Sequence, residues 1–381
     1  MTAITAIGIL SPLGLDTEET AAALREGEAA AFPSEAFARA DGTPWFTAET
    51  PPFDIKAFLA PKAFLDRNSA LFLAACGSAL RAAGCDPRTW PYGRAGIAAG
   101  TVWGGLDTLD LFFADYVHKG PRLVKPLLFP HTYANTAVSL AAMEWSLTGE
   151  HLNFVSDRTA SGQALCEAAA LLEEGRADLM LAGGMEALGL PLLRALAETA
   201  PLARGPEMPP LFPGAPPYAV VPAEAGVVLL LESEAAAQAR GVRPLARLRG
   251  AACAGRPLEA LRAVLARSGL APGGIGWAAV SADGSAAGAA EAGALHACFG
   301  GAPPPVVAPL GLCGDLQGAT TAFVAACAVL MLRDGFLAPV PGPVLAERID
   351  CVTDTPRPCP AGACAVLTAS ATQAVALVLE R

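Results

Sequence analysis

Two aspartates stand beside glycines where elements change: Asp283 in Ser281-Ala282-Asp283-Gly284-Ser285, and Asp315 at the end of Leu310-Gly311-Leu312-Cys313-Gly314-Asp315. Brought together, two such carboxyls can hold one proton between them, as general acid–base chemistry requires. Left apart, an aspartate beside glycine suits a turn or a cap. A third group, the Thr159 hydroxyl, opens an alanine-rich stretch after Ser156-Asp157-Arg158. Threonine at a helix start is commonly a cap, and it becomes a nucleophile only beside an activating base. Asp157 and Arg158 either fill a pocket as an ion pair or face solvent or a partner. His131, in Phe129-Pro130-His131-Thr132, reads as structural, and His118, His151 and His296 fall at the surface or at element ends. The ten cysteines include no C-x-x-C pair and no partnering histidine spacing, so no zinc site is expected; no other metal and no cofactor is expected either. Cys76, Cys166, Cys298 and Cys327 sit among apolar residues, as reduced thiols of a cytoplasmic protein do.

The elements that position these groups follow from local pattern. Thr159 precedes a helix over Ala160–Glu174, flanked by strands Leu152–Ser156 and Asp178–Ala182, the second ending at Gly183-Gly184. Asp283 follows a strand at Trp277–Ala282 and precedes a helix at Ala289–Phe299. Asp315 follows a turn at Gly311–Gly314 and precedes a helix at Gly318–Leu332. Earlier, Ala3–Leu10 reads as a strand, and Asp16 or Thr17 caps a helix through Arg25. Asn68–Ala83 reads as an amphipathic helix closed by Gly84, and Gly96–Thr101 as a strand. The apolar run Gly226–Glu232 suits a sheet covered on both faces. After Ala235–Arg240 the second half repeats the order of the first, which implies an internal duplication. The proline-rich stretch Ala200–Pro222 reads as a loop over a site or an interface.

With 381 residues, the chain is long enough for a large core in one broad domain or two halves. Hydrophobic residues make up 53% and charged residues 16%, so much of the surface is hidden in the interior or in an oligomer interface. A net charge of −10 argues against nucleic acid and against anionic membranes as partners. The apolar run Thr320–Leu332 falls short of the ~20 residues a spanning helix needs. No basic stretch precedes the first apolar residues, so no secretory signal is expected.

Several blocks in order give the chain a resemblance to the β-ketoacyl-acyl-carrier-protein synthases. They are the opening ITAIGILSPLGLDTEETAAALREG, Asn135–Ala142, the run from Gly175 to Glu186, and Ala223–Glu232 followed by Ala239-Arg240-Gly241. The resemblance implies an α/β, thiolase-like, five-layer αβαβα fold built from two duplicated halves, residues 1–238 and 239–381. It also implies a cysteine nucleophile at the start of a buried helix and two histidines that stabilise an enolate. The chain departs from that pattern at each position. Thr159 stands at the cysteine of S-T-A-C-A-S-G, Asp283 at the histidine of N-A-H-G-T, and Asp315 at the histidine of K-S-x-x-G-H, where Leu310 also replaces the lysine. Aspartates there have the wrong sign to stabilise an enolate. Pro360, in Cys359-Pro360-Ala361-Gly362, is matched to the late glycine-rich loop, where it could donate no N–H to an oxyanion.

The expected role is therefore a chain-length-factor-like partner. It would form a heterodimer with an active β-ketoacyl synthase in fatty acid, polyketide or aryl-polyene biosynthesis, with acyl-carrier protein as a possible further partner. Met143 and Trp145, in a stretch that the family places along the dimer interface, would then bound the acyl tunnel. Two alternatives stand. One is an acyltransferase, hydrolase or decarboxylase using Thr159 with Asp283 or Asp315. The other is a scaffold for acyl-carrier protein, docking through Arg240, Arg243, Arg247 and Arg249.

Overall fold

In a computed structural model that describes residues 1–381 apart from Pro206, Pro217 and Glu347, ten strands form one sheet out of two equivalent halves. The first half contributes β1 (Thr2–Leu10), β2 (Ala95–Thr101), β3 (His151–Val155), β4 (Leu179–Glu186) and β5 (Ala225–Ser233). The second contributes β6 (Ala246–Ala254), β7 (Ile275–Val280), β8 (Val306–Val307), β9 (Ala363–Ala369) and β10 (Ala374–Glu380). Their order across the sheet is β3-β2-β4-β5-β1-β6-β10-β9-β7-β8. Each half therefore runs third, second, fourth, fifth, first, with the same sequence of parallel and antiparallel pairings. The halves join through their first strands, where Thr2, Ala3 and Ile4 pair with Leu248, Arg247 and Ala246. The duplication implied by element order is thus present in topology, with no residue-level repeat to announce it.

Strand alternation divides the apolar residues between two cores. Along β5, Val227, Leu229 and Leu231 face the core between the halves, while Val228 and Leu230 face an outer one. Strands buried on both faces read as unbroken apolar runs, which is why this one does. The helices Ala160–Glu173 and Thr320–Asp334 occupy the central layer. Helices Arg67–Ala82 and Thr136–Trp145 cover the outside of the first half, and Pro257–Ser268 and Ala286–Cys298 the outside of the second. Thirteen consecutive residues, Thr320–Leu332, are buried, so that run is a core helix. Among the described residues no helix is long and apolar enough to cross a membrane.

Two boundaries differ from expectation in ways that matter for the site. Strand β4 does not stop at Gly183-Gly184 but continues to Glu186. A Cβ on Gly183 would lie 1.9 Å from the Val227 carbonyl oxygen, and one on Gly184 would lie 2.6 Å from Cβ of Ser161. These glycines are required by close packing within a strand, not by a turn. The last central helix begins at Thr320, after a separate single turn over Gln317–Ala319.

Candidate functional site

The carboxyl ends of β2, β4, β7 and β9 converge on the amino ends of the two central helices, and every chemistry-bearing residue singled out by motif except Pro360 and His131 is gathered there. A buried helix start leaves N–H groups without partners unless side chains supply them. Ser161 does so for the second helix, accepting from the Ala322 N–H at 3.1 Å. For the first helix the acceptor is Asp157, whose Oδ1 takes the Thr159 N–H at 2.8 Å. Thr159, expected as a cap, makes no side-chain capping bond itself.

The Thr159 hydroxyl is fully engaged. It donates to Asp157 Oδ1 at 2.6 Å and accepts from Gln163 Nε2 at 3.2 Å, and the residue is 0% exposed. Asp157 Oδ2 is held in turn by Ser370 Oγ at 2.6 Å and Thr372 Oγ1 at 3.1 Å. Burial raises the Asp157 carboxyl, but these hydroxyls and the Thr159 N–H outweigh it and hold it below the usual range. Asp157 is therefore an ionised, fully committed hydrogen-bond acceptor, not a partner of Arg158.

Arg158 turns the other way, into the protein. Its guanidinium lies 2.9 Å from Asp283 Oδ2 and 3.6 Å from Asp315 Oδ1, and it donates to Ser285 Oγ at 3.1 Å and to the Ser281 carbonyl at 3.0 Å. Its side chain is 10% exposed. Burial works against its charge, but Asp283, Asp315 and Glu291 together hold its pKa above the ordinary arginine value. Asp315 is pushed up by burial, with Arg158 opposing and Asp283 adding to the rise. The two aspartates also fill turn roles. Asp283 Oδ1 accepts from the Ser285 N–H at 3.0 Å, and Asp315 Oδ1 from the Gln317 N–H at 3.1 Å. They are brought together, as a coupled pair requires, but a guanidinium stands between them.

Two further acids were not singled out from sequence. Glu186, at the end of β4, accepts from the N–H groups of Val102, Trp103 and Gly318 and from the Thr101 hydroxyl, at 2.6–3.2 Å. Burial still pushes it up to about 7. Its only signal is an acid closing the apolar run Leu179–Glu186. Glu291 hydrogen-bonds Ser281 and the Ala369 N–H beneath Arg158, and burial pushes it up to about 8. The proline-rich stretch does lie over the site, with the Asp315 N–H on the Val221 carbonyl and the Ala219 N–H on the Gly284 carbonyl.

The remaining candidates lie elsewhere. Pro360 precedes β9, while Ser370, which touches Asp157, follows it; the seven-residue strand separates them by roughly 20 Å. The loop beside the site is thus the one between β9 and β10, so Pro360 has no place in it. His131 is buried, with Nδ1 3.3 Å from Asp66, the cap of helix Arg67–Ala82, and its ring packs edge-on against Phe64. Trp145 is buried in the outer core, whereas Met143 is 69% exposed. The arginines proposed for docking are largely neutralised: Arg240 pairs with Glu232, Arg247 with Glu234 and Arg249 with Glu380. Among the described residues no group of three or more histidines, cysteines and acids could hold a metal ion.

Residues 2–237 match the family model described as β-ketoacyl synthase, N-terminal domain. The 3-oxoacyl-[acyl-carrier-protein] synthase 2 of Vibrio harveyi is 30% identical over 193 residues, 50% of this chain and 46% of that protein. The synthase of the same name from Mycobacterium tuberculosis is 28% identical over 292 residues, 69% of this chain and 68% of that one. The match thus spans about half the length of the first of these relatives. Among solved structures, the ishigamide ketosynthase/chain length factor superposes with a TM-score of 0.90 at 22% identity, over 100% of this chain and 98% of that one. A ketosynthase in complex with its chain length factor from Xenorhabdus doucetiae gives 0.84 at 18%, over 100% and 97%. The architecture is therefore the thiolase-like fold of ketosynthases. The chain belongs to the β-ketoacyl synthase family.

Proposed function

We propose that this chain is a non-catalytic β-ketoacyl synthase homologue that pairs with an active ketosynthase as a chain-length-factor-like subunit. The observation that carries this reading is Arg158. Its guanidinium occupies the space between Asp283 and Asp315, where a condensing enzyme of this family would place its histidines, and Thr159 at the nucleophile position is buried and doubly hydrogen-bonded. A hydrolase or acyltransferase using Thr159 with Asp283 or Asp315 would need one of those two carboxyls at the Thr159 hydroxyl, but Asp157 accepts from it and Arg158 engages both of the others.

A pairing role is supported by the surface. Phe113, Val117, Leu127, Phe129, Tyr133 and Met143 are exposed large apolar residues in the segment that leads to β3. Among the described residues β3 pairs only with β2, so its outer edge is open. Phe113, Phe112, Phe129 and Tyr133 adjoin through successive ring contacts, and exposed apolar surface beside an open strand edge calls for a covering partner. Growth of a polyketide or aryl-polyene chain on acyl-carrier protein, in the cytoplasm, is the setting this reading implies. The ten cysteines, all unpaired, suit a reducing compartment.

The test is co-expression with a candidate ketosynthase from the same genome, followed by size exclusion and an elongation assay on acyl-carrier protein. A heterodimer that elongates, while this chain alone does not, is the expected result. Turnover of an acyl thioester by the isolated chain, lost in Thr159→Ala, would overturn the reading.

A further inference from the structure

At the end of the sheet away from the site, the segment 84–91 faces the short helix Glu234–Ala239 across a cleft of about 570 Å³. That volume is in the range of small-molecule sites. Asp178, which also lines the cleft, precedes β4, and Glu186 closes that strand, so roughly 25 Å separates the cleft from the acids described above. The helix side is built from methyls. Ala235 and Ala239 lie four residues apart on one row, and Ala236 precedes Arg240 by the same step. Three methyls, too short to fill the space, thus stand beside one guanidinium. The opposite side supplies Trp90, half-buried, whose indole N–H donates to Cys85 Sγ at 3.3 Å and so fixes the ring.

Every charge on the lining already has a counter-charge. Arg240 Nε lies 3.0 Å from Glu232, Arg94 grips Asp178 at 2.6 and 2.8 Å, and Asp86 Oδ1 takes Arg88 Nε at 2.9 Å. A charged ligand would have to break one of these pairs or enter without compensation. Two hydrogen-bonding groups remain uncommitted among the described residues. Arg240 Nη2 donates to the Ala83 carbonyl at 3.1 Å, which leaves Nη1 free, and both bonds to Asp86 go to Oδ1, which leaves Oδ2 free. One is a donor and the other an acceptor, on a lining that also presents an aromatic ring.

We propose that this cleft binds a small, neutral aromatic primary amide. The ring lies against Trp90 and the alanine methyls, the carbonyl oxygen accepts from Arg240 Nη1, and the amide NH2 donates to Asp86 Oδ2. The ligand joins the segment that follows helix Arg67–Ala82 to the helix that leads into the second half.

The experiment titrates the full-length chain with benzamide and reads saturation-transfer NMR, with benzoate and cyclohexanecarboxamide as comparisons. Benzamide is expected to bind. Both comparisons should bind at least about tenfold more weakly, one for its charge and the other for its missing ring. Ala239→Leu, at an exposed position of the helix, should fill the cleft and weaken benzamide by a similar factor while leaving the fold intact. Trp90→Ala should weaken it as well. Absence of benzamide binding overturns the proposal, as does unchanged affinity in folded Ala239→Leu or benzoate binding as tightly as benzamide. A Trp90→Ala chain that fails to fold leaves the decision to Ala239→Leu and the parent.

Discussion

Arg158 and Asp283 meet across the two halves of the chain, Nη2 to Oδ2 at 2.9 Å, with the Asp283 side chain fully enclosed. The arginine immediately precedes Thr159, and the aspartate follows the second strand of the other half. At the amino end of the central helix the space between the halves is filled by a charge pair belonging to the protein itself, its side chains 10% and 0% exposed. Desolvating such a pair has a cost, so its presence is weak evidence of stabilisation, but removing one member strands the other.

Arg158→Met should therefore destabilise the fold by about 3 kcal/mol, because it leaves two buried carboxyls without their cation. Combining it with Asp283→Asn should restore part of that loss, with a coupling of about 1–3 kcal/mol in the double-mutant cycle. Denaturant unfolding of the four proteins measures it. Additive single effects would mean that the two side chains are energetically independent.

A pH dependence follows from Glu291. Its folded pKa, about 8, lies above the 4.5 usual for glutamate. Below 4.5 both folded and unfolded chains carry the proton and nothing is lost. Between 4.5 and about 8 the folded state retains a proton that the unfolded chain has released, so stability falls as pH rises, then levels off above about 8. Glu291→Gln should remove this slope, so that it gains on the parent as pH goes from about 5 to about 9. Parallel unfolding midpoints across that range would show that Glu291 titrates normally.

What was legible in the sequence was local. Asp283 and Asp315 could be placed at element ends because strand and helix periods frame them, and both do serve turns there. The guanidinium between them could not be read, since Arg158 lies more than a hundred residues away in sequence. Ser370, 213 residues from the Asp157 it holds, escaped notice for the same reason. Pro360 was misplaced because a loop rich in proline and glycine looks alike at either end of a strand, and only strand direction reveals which end carries the site. The arginines at 240, 247 and 249 looked like a basic patch because their partners Glu232, Glu234 and Glu380 belong to other elements.

Met143 and Trp145 sit two residues apart, about 200° around the same helix, so one faces solvent and the other the core. Trp145→Ala should cost about 3–5 kcal/mol of monomer stability. Met143→Lys should change it by less than about 0.5 kcal/mol while weakening association with the ketosynthase. Unfolding and size exclusion on each variant separate the two effects. Equal destabilisation by both substitutions would remove Met143 from the interface.

Thr159→Cys places a thiol where the family keeps its nucleophile, at the amino end of a long buried helix. A helix start lowers a thiol's pKa, which alone would predict rapid alkylation. Access argues the opposite. Thr159 is 0% exposed, Asp157 already takes the local N–H, and its negative charge lies on the same side. Access should dominate, because a thiolate that no reagent can reach does not react. The variant should therefore show no additional modified cysteine in the native state and should gain one on unfolding. The measurement is iodoacetamide labelling read by peptide mass, with the parent chain as reference. Prompt native labelling at position 159 would mean that the site opens readily, and the closed-site basis of the non-catalytic reading would fail with it.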